Sequence, residues 1–241
     1  MPHFFISSKD VNNGRVAISD KENYRHIAKS LRIRKGEKLL LIDENKIQYE
    51  TVVENVTTDE VLVKIENSYK SDRSLDFGLY LAQSPLRSDA QSFVVEKAAE
   101  LGVKGLYPVH TDNCALSPEI IKKKIDKWQK IMYEASKQCE RADVPVCFQP
   151  DTLENLIEKF SRVIVFCERI AEKTLKDIKP INKGDEVLVI IGPEGGFSER
   201  EFKLFKDKNL DMLTLGSLIL KAETAVTVAL GNIIYEFNSN N

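Results

Sequence analysis

From residue 75 onward, apolar positions follow two alternating rhythms. Short, nearly unbroken apolar runs at 75–82, 104–109, 144–148, 162–167, 187–191 and 212–215 fit strands buried on both faces. The segments between them carry the helical rhythm. In 87–101, Phe93, Val94, Lys97, Ala98 and Leu101 share one face, and Gly102 follows where helices stop. In 117–141, Ile121, Ile125, Trp128, Met132, Ala135 and Cys139 recur at steps of four and three, a continuous apolar stripe with Trp128 in the core. Further helices are predicted at 152–160, near 172–178, from Ser198, and from about Glu223 to the end. This alternation predicts an α/β domain with a mostly parallel sheet and helices on both faces. Ligands of such sheets bind beyond the carboxyl ends of the strands.

The first seventy residues have a different texture. Strands are predicted at 3–6 and 15–18, with Asn12-Asn13-Gly14 as the turn between them. A helix at 20–31 takes Asp20 as its N-cap. Strands at 38–42, 48–54 and 61–65 follow, separated by polar turns, which suggests a small barrel or sandwich. Residues 67–74 are polar and aperiodic, so a domain boundary is expected there, giving domains at 1–72 and 73–241.

Composition narrows the function classes. The chain has 241 residues, is 42% hydrophobic and carries a net charge of −2. It can bury a core, and any nucleic-acid surface must be a local patch. One such patch is the stretch 21–38, where Lys21, Arg25, Lys29, Arg32, Arg34, Lys35 and Lys38 face only Glu22 and Glu37. It can engage phosphates or form a solvated face. Lys122, Lys123, Lys124, Lys127 and Lys130 occupy much of the remainder of the helix that carries the Trp128 stripe. Cys114, Cys139, Cys147 and Cys167 form no CxxC pair, and His3, His26 and His110 are scattered. Four buried thiols and no metal site are expected. With no apolar run of about 18 residues and no signal-peptide pattern at the start, the expectation is a cytoplasmic protein without a membrane segment.

Candidate chemistry concentrates in 187–230. The loop IGPEGGF has glycines at Gly192, Gly195 and Gly196, a spacing that matches neither the dinucleotide fingerprint nor the P-loop. Serine-hydrolase chemistry lacks its G-x-S-x-G motif. What this loop offers is backbone. Gly195 and Gly196 permit positive φ and close approach of a ligand, Pro193 stiffens the entry, and Ser198 to Glu201 fits an S-x-x-E capping box. Such a loop can cradle an adenine or ribose, or it can be a tight strand-to-helix turn. In the second loop, LGSLILKAETA, Leu218, Ile219 and Leu220 form an apolar run that can line a pocket for a base. Glu223 and Thr224 beside it are helix caps or groups facing a reacting atom.

IGPEGGFSEREF followed by LGSLILKAETAVTVAL resembles the C-terminal signature of the SPOUT methyltransferases, and more narrowly the ribosomal RNA small subunit methyltransferase E family. The likeness extends along most of the chain. It includes His3-Phe4-Phe5 and Arg25-His26, VVEKAAELGVKGLYPV, and KWQKIMYEASKQCERADVP with its EA-x-x-Q-x-x-R-x-x-x-P pattern. The resemblance implies a PUA-like RNA-binding β-barrel followed by a parallel-sheet domain with a C-terminal trefoil knot, assembled as a homodimer. It implies S-adenosyl-L-methionine (SAM) held by Phe166, Cys167 and Glu168, by Gly192, Pro193, Glu194, Gly195 and Gly196, and by Leu215, Gly216, Leu218 and Leu220, with Ala225 close by. The reaction it implies is methylation of uridine N3 in 16S rRNA near the decoding region of the small ribosomal subunit, with Arg25, Arg32, Arg34, Arg87 and Arg141 on the RNA.

Transfer of a methyl group from a sulfonium is an in-line displacement that needs positioning and electrostatics but no metal. Uridine N3 must also lose its proton. Lys221 is therefore the candidate charge, Glu223 the acceptor and Thr224 the orienting group. Some positions depart from the family pattern. Lys221 and Leu218 stand where arginine is usual or frequent, Asn113 stands where arginine is common, and Ser88-Asp89-Ala90-Gln91 replaces a segment with glycine, a basic residue and methionine, leaving only Arg87 nearby. Lysine keeps the charge of arginine without its planar fork. The alternatives are a methyltransferase with another RNA target, and an RNA-binding protein without methyl transfer.

Overall fold

The computed structural model describes residues 1–168 and 170–238. The chain divides into two compact units, Met1–Ser74 with Ser136–Asp143, and Leu75–Ala135 with Val144–Asn241.

The first unit contains β1 (His3–Phe5), β2 (Val11–Asn12), β3 (Arg15–Ile18), α1 (Lys21–Tyr24), β4 (Lys38–Ile42), β5 (Ile47–Val56) and β6 (Val61–Lys70). These strands form one sheet in the order β1-β4-β5-β6-β3-β2. The β1–β4 pair is parallel and the others are antiparallel. Phe4, Val16, Ile18, Ile27, Leu39, Leu41, Val53, Val61 and Val63 make its core. Asp20 caps α1 by accepting from the Asn23 amide at 2.9 Å, and the helix then widens into a π-helical stretch, Arg25–Ser30. The segment 67–74, expected to be a linker, is ordered differently. β6 continues to Lys70 and pairs with β5 as far as Ile47. Its last five side chains are exposed, so no alternation marks it in sequence, and the backbone ladder alone makes it a strand. Residues 136–143 pack into this unit through side chains. The Lys137 ammonium lies 5.7 Å from the Phe4 ring centre, Arg73 pairs with Glu140, and Lys46 reaches Asp143 at 2.8 Å.

The second unit has the predicted α/β architecture. Its elements are β7 (Gly78–Gln83), α2 (Ser88–Glu100), β8 (Gly105–Pro108), α3 (Pro118–Lys122), α4 (Ile125–Gln138), β9 (Val146–Cys147), α5 (Leu153–Lys159), β10 (Arg162–Phe166), β11 (Glu186–Ile191), α6 (Glu199–Asp207), β12 (Asp211–Leu213) and α7 (Ala222–Phe237). The sheet order is β12-β10-β11-β7-β8-β9, with every pair parallel. Alternate residues of each strand feed separate cores. Leu79, Leu81, Ile164, Phe166, Val187 and Val189 pack with Val94, Ile121, Trp128, Met132, Val226 and Leu230 of α2, α3, α4 and α7. Ala82, Val163, Val165, Leu188 and Ile190 pack with Leu153, Leu156 and Phe205 of α5 and α6. Burial on both faces explains why these strands read as unbroken apolar runs.

Some expected boundaries move. The helix predicted over 117–141 is two helices, because the chain tightens at Lys123–Lys124, where the Lys124 amide bonds the Ile121 carbonyl at 2.9 Å. The apolar stripe runs through this break without recording it. The 172–178 helix is a single 3₁₀ turn, Leu175–Asp177. Cys147 and Cys167 are buried, whereas Cys114 and Cys139 are only half-buried, and all four are free. No helix of the described residues is long and apolar enough to cross a membrane. No group of three or more His, Cys, Asp or Glu side chains is placed to hold a metal ion among them.

Candidate active site at the carboxyl ends of the strands

The ends of three neighbouring parallel strands of the second unit share one row of the sheet. Phe166, the last residue of β10, pairs with Ile191, the last of β11, and with Leu213, the last of β12. Ile191 pairs in turn with Gln83, which ends β7. The segments that leave at Cys167, Gly192 and Thr214 therefore emerge side by side. The Cys167 amide is tied back to the Leu213 carbonyl at 2.9 Å. These are the three stretches that the family resemblance assigns to one pocket.

The glycine loop is shaped by its neighbours. The Gly196 amide bonds the Pro193 carbonyl at 2.9 Å, closing a turn. Gly196 alone of the three glycines has positive φ, at 69°. Gly195 is needed for a different reason from the one expected, since a Cβ there would lie 3.1 Å from the Cβ of Asn113. At Gly192 a Cβ would meet the Phe197 ring at 3.2 Å. The loop's backbone is thus bare at its three glycines, and at Gly192 and Gly195 it runs close to Phe197 and Asn113.

A second loop, 109–113 after β8, holds the first in place. Asn113 Nδ2 donates to the Gly195 and Gly196 carbonyls at 3.3 and 3.1 Å. Asp112 accepts from the Ser198 hydroxyl at 2.5 Å and from Arg200 Nε and Nη2 at 3.0 and 2.8 Å. The predicted capping box at the start of α6 is present, with Glu201 Oε2 accepting the Ser198 amide at 2.8 Å. Its other oxygen accepts the Asp112 amide at 2.9 Å, so the fully buried Glu201 carboxylate ties the two loops together. The Arg200 guanidinium and the Ser198 hydroxyl hold the Asp112 carboxyl at about 2. The sequence motif reveals the capping box but not Asp112, Arg200 or the second role of Glu201. The contacts of Asp112 span 86–89 residues, and no local pattern signals them.

The remaining candidates fall around this row. Phe166 and Cys167 are buried, and burial pushes the Cys167 thiol up to about 12, so this cysteine is inert and offers its backbone. Glu168 Oε1 and Gln83 Oε1 are buried acceptors without a partner. Pro193 is buried and Glu194 is exposed. Thr214 folds its hydroxyl onto Gly216, whose φ is 133°. Leu215 and Leu220 turn inward against the core. Leu218 and Ile219 stand 75% and 68% exposed, so the apolar run divides between the interior and the surface. Lys221 is the N-cap of α7, Glu223 is half-buried in its first turn, Thr224 is exposed, and Ala225 is buried. Neither Glu223 nor Thr224 uses its side chain as a cap, which leaves both free of a structural duty among the described residues. Arg25, Arg32, Arg34 and Arg87 are exposed and unpaired among the described residues. Arg141 differs, being buried with its guanidinium on Asp143 at 2.8 Å.

A model of the RNA methyltransferase domain matches residues 73–234. This chain belongs to the RNA methyltransferase family. A second model, of the RNA methyltransferase PUA domain, matches residues 18–66 of this RNA methyltransferase. Ribosomal RNA small subunit methyltransferase E of Bacillus subtilis is 25% identical over 225 residues, covering 89% of this chain and 88% of its own. A solved structure from Legionella pneumophila, described as a methyltransferase in complex with the bound cofactor SAM, is 29% identical, with TM-score 0.85 over 97% of this chain and 96% of that one. Ribosomal RNA small subunit methyltransferase E from Neisseria gonorrhoeae, solved bound to S-adenosyl methionine, shares the fold at TM-score 0.88 and 24% identity over the whole of both chains. The family resemblance read from the motifs is borne out.

Proposed function

We propose that this RNA methyltransferase uses SAM to methylate N3 of a uridine in 16S rRNA of the small ribosomal subunit. The observation that carries the reading is the row Leu213–Phe166–Ile191, which releases three loops together at the strand ends. The residues there fit SAM. Glu168 Oε1 is a buried acceptor lacking a partner, suited to a ribose hydroxyl. Gly192, Gly195 and Gly196 present bare backbone, and Phe166, Cys167, Pro193, Glu194, Leu215, Gly216, Leu218, Leu220 and Ala225 complete the proposed lining. When bound, this cofactor supplies a methyl group activated on a sulfonium.

The chain's own residues then have to orient the base and manage its proton. Lys221 and Thr224 are three residues apart at the start of α7, which puts them on one side of its first turn. In this scheme Lys221 stabilises charge developing on the base, and Thr224 orients it. Glu223, in the first turn of α7, accepts the N3 proton. Arg25, Arg32, Arg34 and Arg87 contact RNA phosphates, while Arg141 acts by holding Asp143 in place.

Three further features belong to this reading. The first unit serves as a PUA-like RNA-binding barrel over 1–72, and the methyltransferase domain covers 73–241. A C-terminal trefoil knot accounts for a chain that leaves the sheet at edge strand β12 and returns as α7 against α2 and β11. A homodimer would cover Leu218, Ile219 and Tyr235, large apolar side chains 68–82% exposed. The protein would work in the cytoplasm, where its ribosomal substrate is. A different RNA target is the second reading, favoured by Leu218 standing where arginine is frequent in the family.

Methyl transfer from labelled SAM to small subunits lacking the modification tests the scheme. Glu223→Ala is expected to lower turnover by about a hundredfold or more, the range for loss of a general base, with SAM affinity unchanged by calorimetry. Full turnover in this variant would remove Glu223 from the role.

A further inference from the structure

We infer that the lysine-rich outer face of α3 and α4 is a second phosphate-binding surface for the RNA substrate, separate from the arginines of the first unit. The inference rests on the reading of RNA as substrate. The stripe Ile121, Ile125, Trp128 and Met132 is buried in the core of the second unit, which fixes the rotation of both helices. Lys122, Lys123, Lys127 and Lys130 are consequently exposed, with Lys124 half-exposed beside them. Within 122–130 the sole acid is Asp126. Glu119 precedes the run, its carboxyl held low by its own backbone amide and the Ser117 hydroxyl, with a smaller contribution from Lys122.

Three lysines elsewhere in this unit are neutralised: Lys97 by Glu96 and Glu100, Lys104 by Glu186, and Lys208 by Glu158. Lys123, Lys124 and Lys127 have no ion-pair partner among the described residues. In a chain of net charge −2 this is a local concentration of uncompensated positive charge. Lys127 and Lys130, three apart on α4, lie about 5–6 Å from each other, and Lys122–Lys124 cluster at the break before it. The face therefore presents flexible ammonium groups as a track, which suits a phosphate backbone and reads no sequence. RNA is the occupant favoured by the position as well as by the charge. Asn113, bonded to the glycine loop, precedes α3 by five residues, so at most about 18 Å of extended chain separates the start of α3 from the proposed cofactor loop, and Lys122 closes that short helix. A strand whose target base enters the site can continue along α3 and α4.

The test is the salt dependence of binding to purified small subunits from a strain lacking this protein. Lys123→Ala with Lys127→Ala removes one lysine at the α3–α4 break and one on α4, where alanine favours helix. Removing one lysine from a phosphate is expected to reduce the slope of log K against log salt by roughly 0.7–0.9, so the double variant should lower it by about 1.5. SAM affinity should be unchanged, which reports an intact fold. The matched control removes Lys203 and Lys206 of α6, on the opposite face of the sheet, and should keep the wild-type slope. An unchanged slope in the Lys123/Lys127 variant, or an equal fall in the control, overturns the second surface while leaving the methyltransferase reading standing. Wild-type protein that binds SAM but no subunits at low salt overturns both.

Discussion

Asp112 shows how much of this site depends on single side chains placed by distant sequence. Its carboxylate accepts from Ser198 and Arg200, and its amide donates to the buried Glu201. Replacing it with asparagine removes the charge that Arg200 faces and should weaken SAM binding several-fold by loosening the loop at 192–197, as calorimetry would show. The side chain is 38% exposed, so the effect on stability should be small. Its sign with pH is set by the depressed folded value. The stabilisation is complete above the ordinary carboxyl value of 3.8 and is lost as pH falls through about 2. The thermal midpoints of wild type and Asp112→Asn should therefore differ near neutral pH and converge in acid; a gap that widens in acid would contradict this role. No pattern in the sequence points to Asp112. Glu168 is reached from sequence through the family resemblance alone, and its meaning emerges from a buried oxygen without a partner.

Among the elements, the glycine loop separates two uses of glycine that sequence cannot tell apart. At Gly192 an added methyl would press on Phe197 at 3.2 Å, whereas at Gly196 there is open space but φ is 69°. Gly192→Ala should cost about 1–3 kcal/mol by overpacking, and Gly196→Ala about 1 kcal/mol by conformational strain. Denaturant unfolding measures both, and a stabilised Gly196→Ala variant would contradict the second. The parallel sheet was legible because strands buried on both faces read as apolar runs. The tail of β6 was not, since a strand with both faces in water has no hydrophobic period. The break between α3 and α4 was hidden by a stripe that continues through it. The capping box at Ser198 was legible because its partners are three residues apart.

On the scale of the whole molecule, each unit has its own core, and each matches its own family model. The proposed division of labour follows from that. The first unit carries Arg25, Arg32 and Arg34, exposed and unpaired among the described residues, while the second carries the row of strand ends. Which base receives the methyl group is beyond a sequence with Lys221 and Leu218 at positions where arginine is expected. That question is decided by chemistry on the product. Purified protein, SAM and small subunits from a strain lacking this protein should be incubated together, and the nucleosides of the 16S rRNA resolved by mass spectrometry. Under the proposed function one N3-methyluridine per subunit should appear, dependent on Glu223. SAM bound by the protein, with no methylated uridine formed in those subunits, would contradict it.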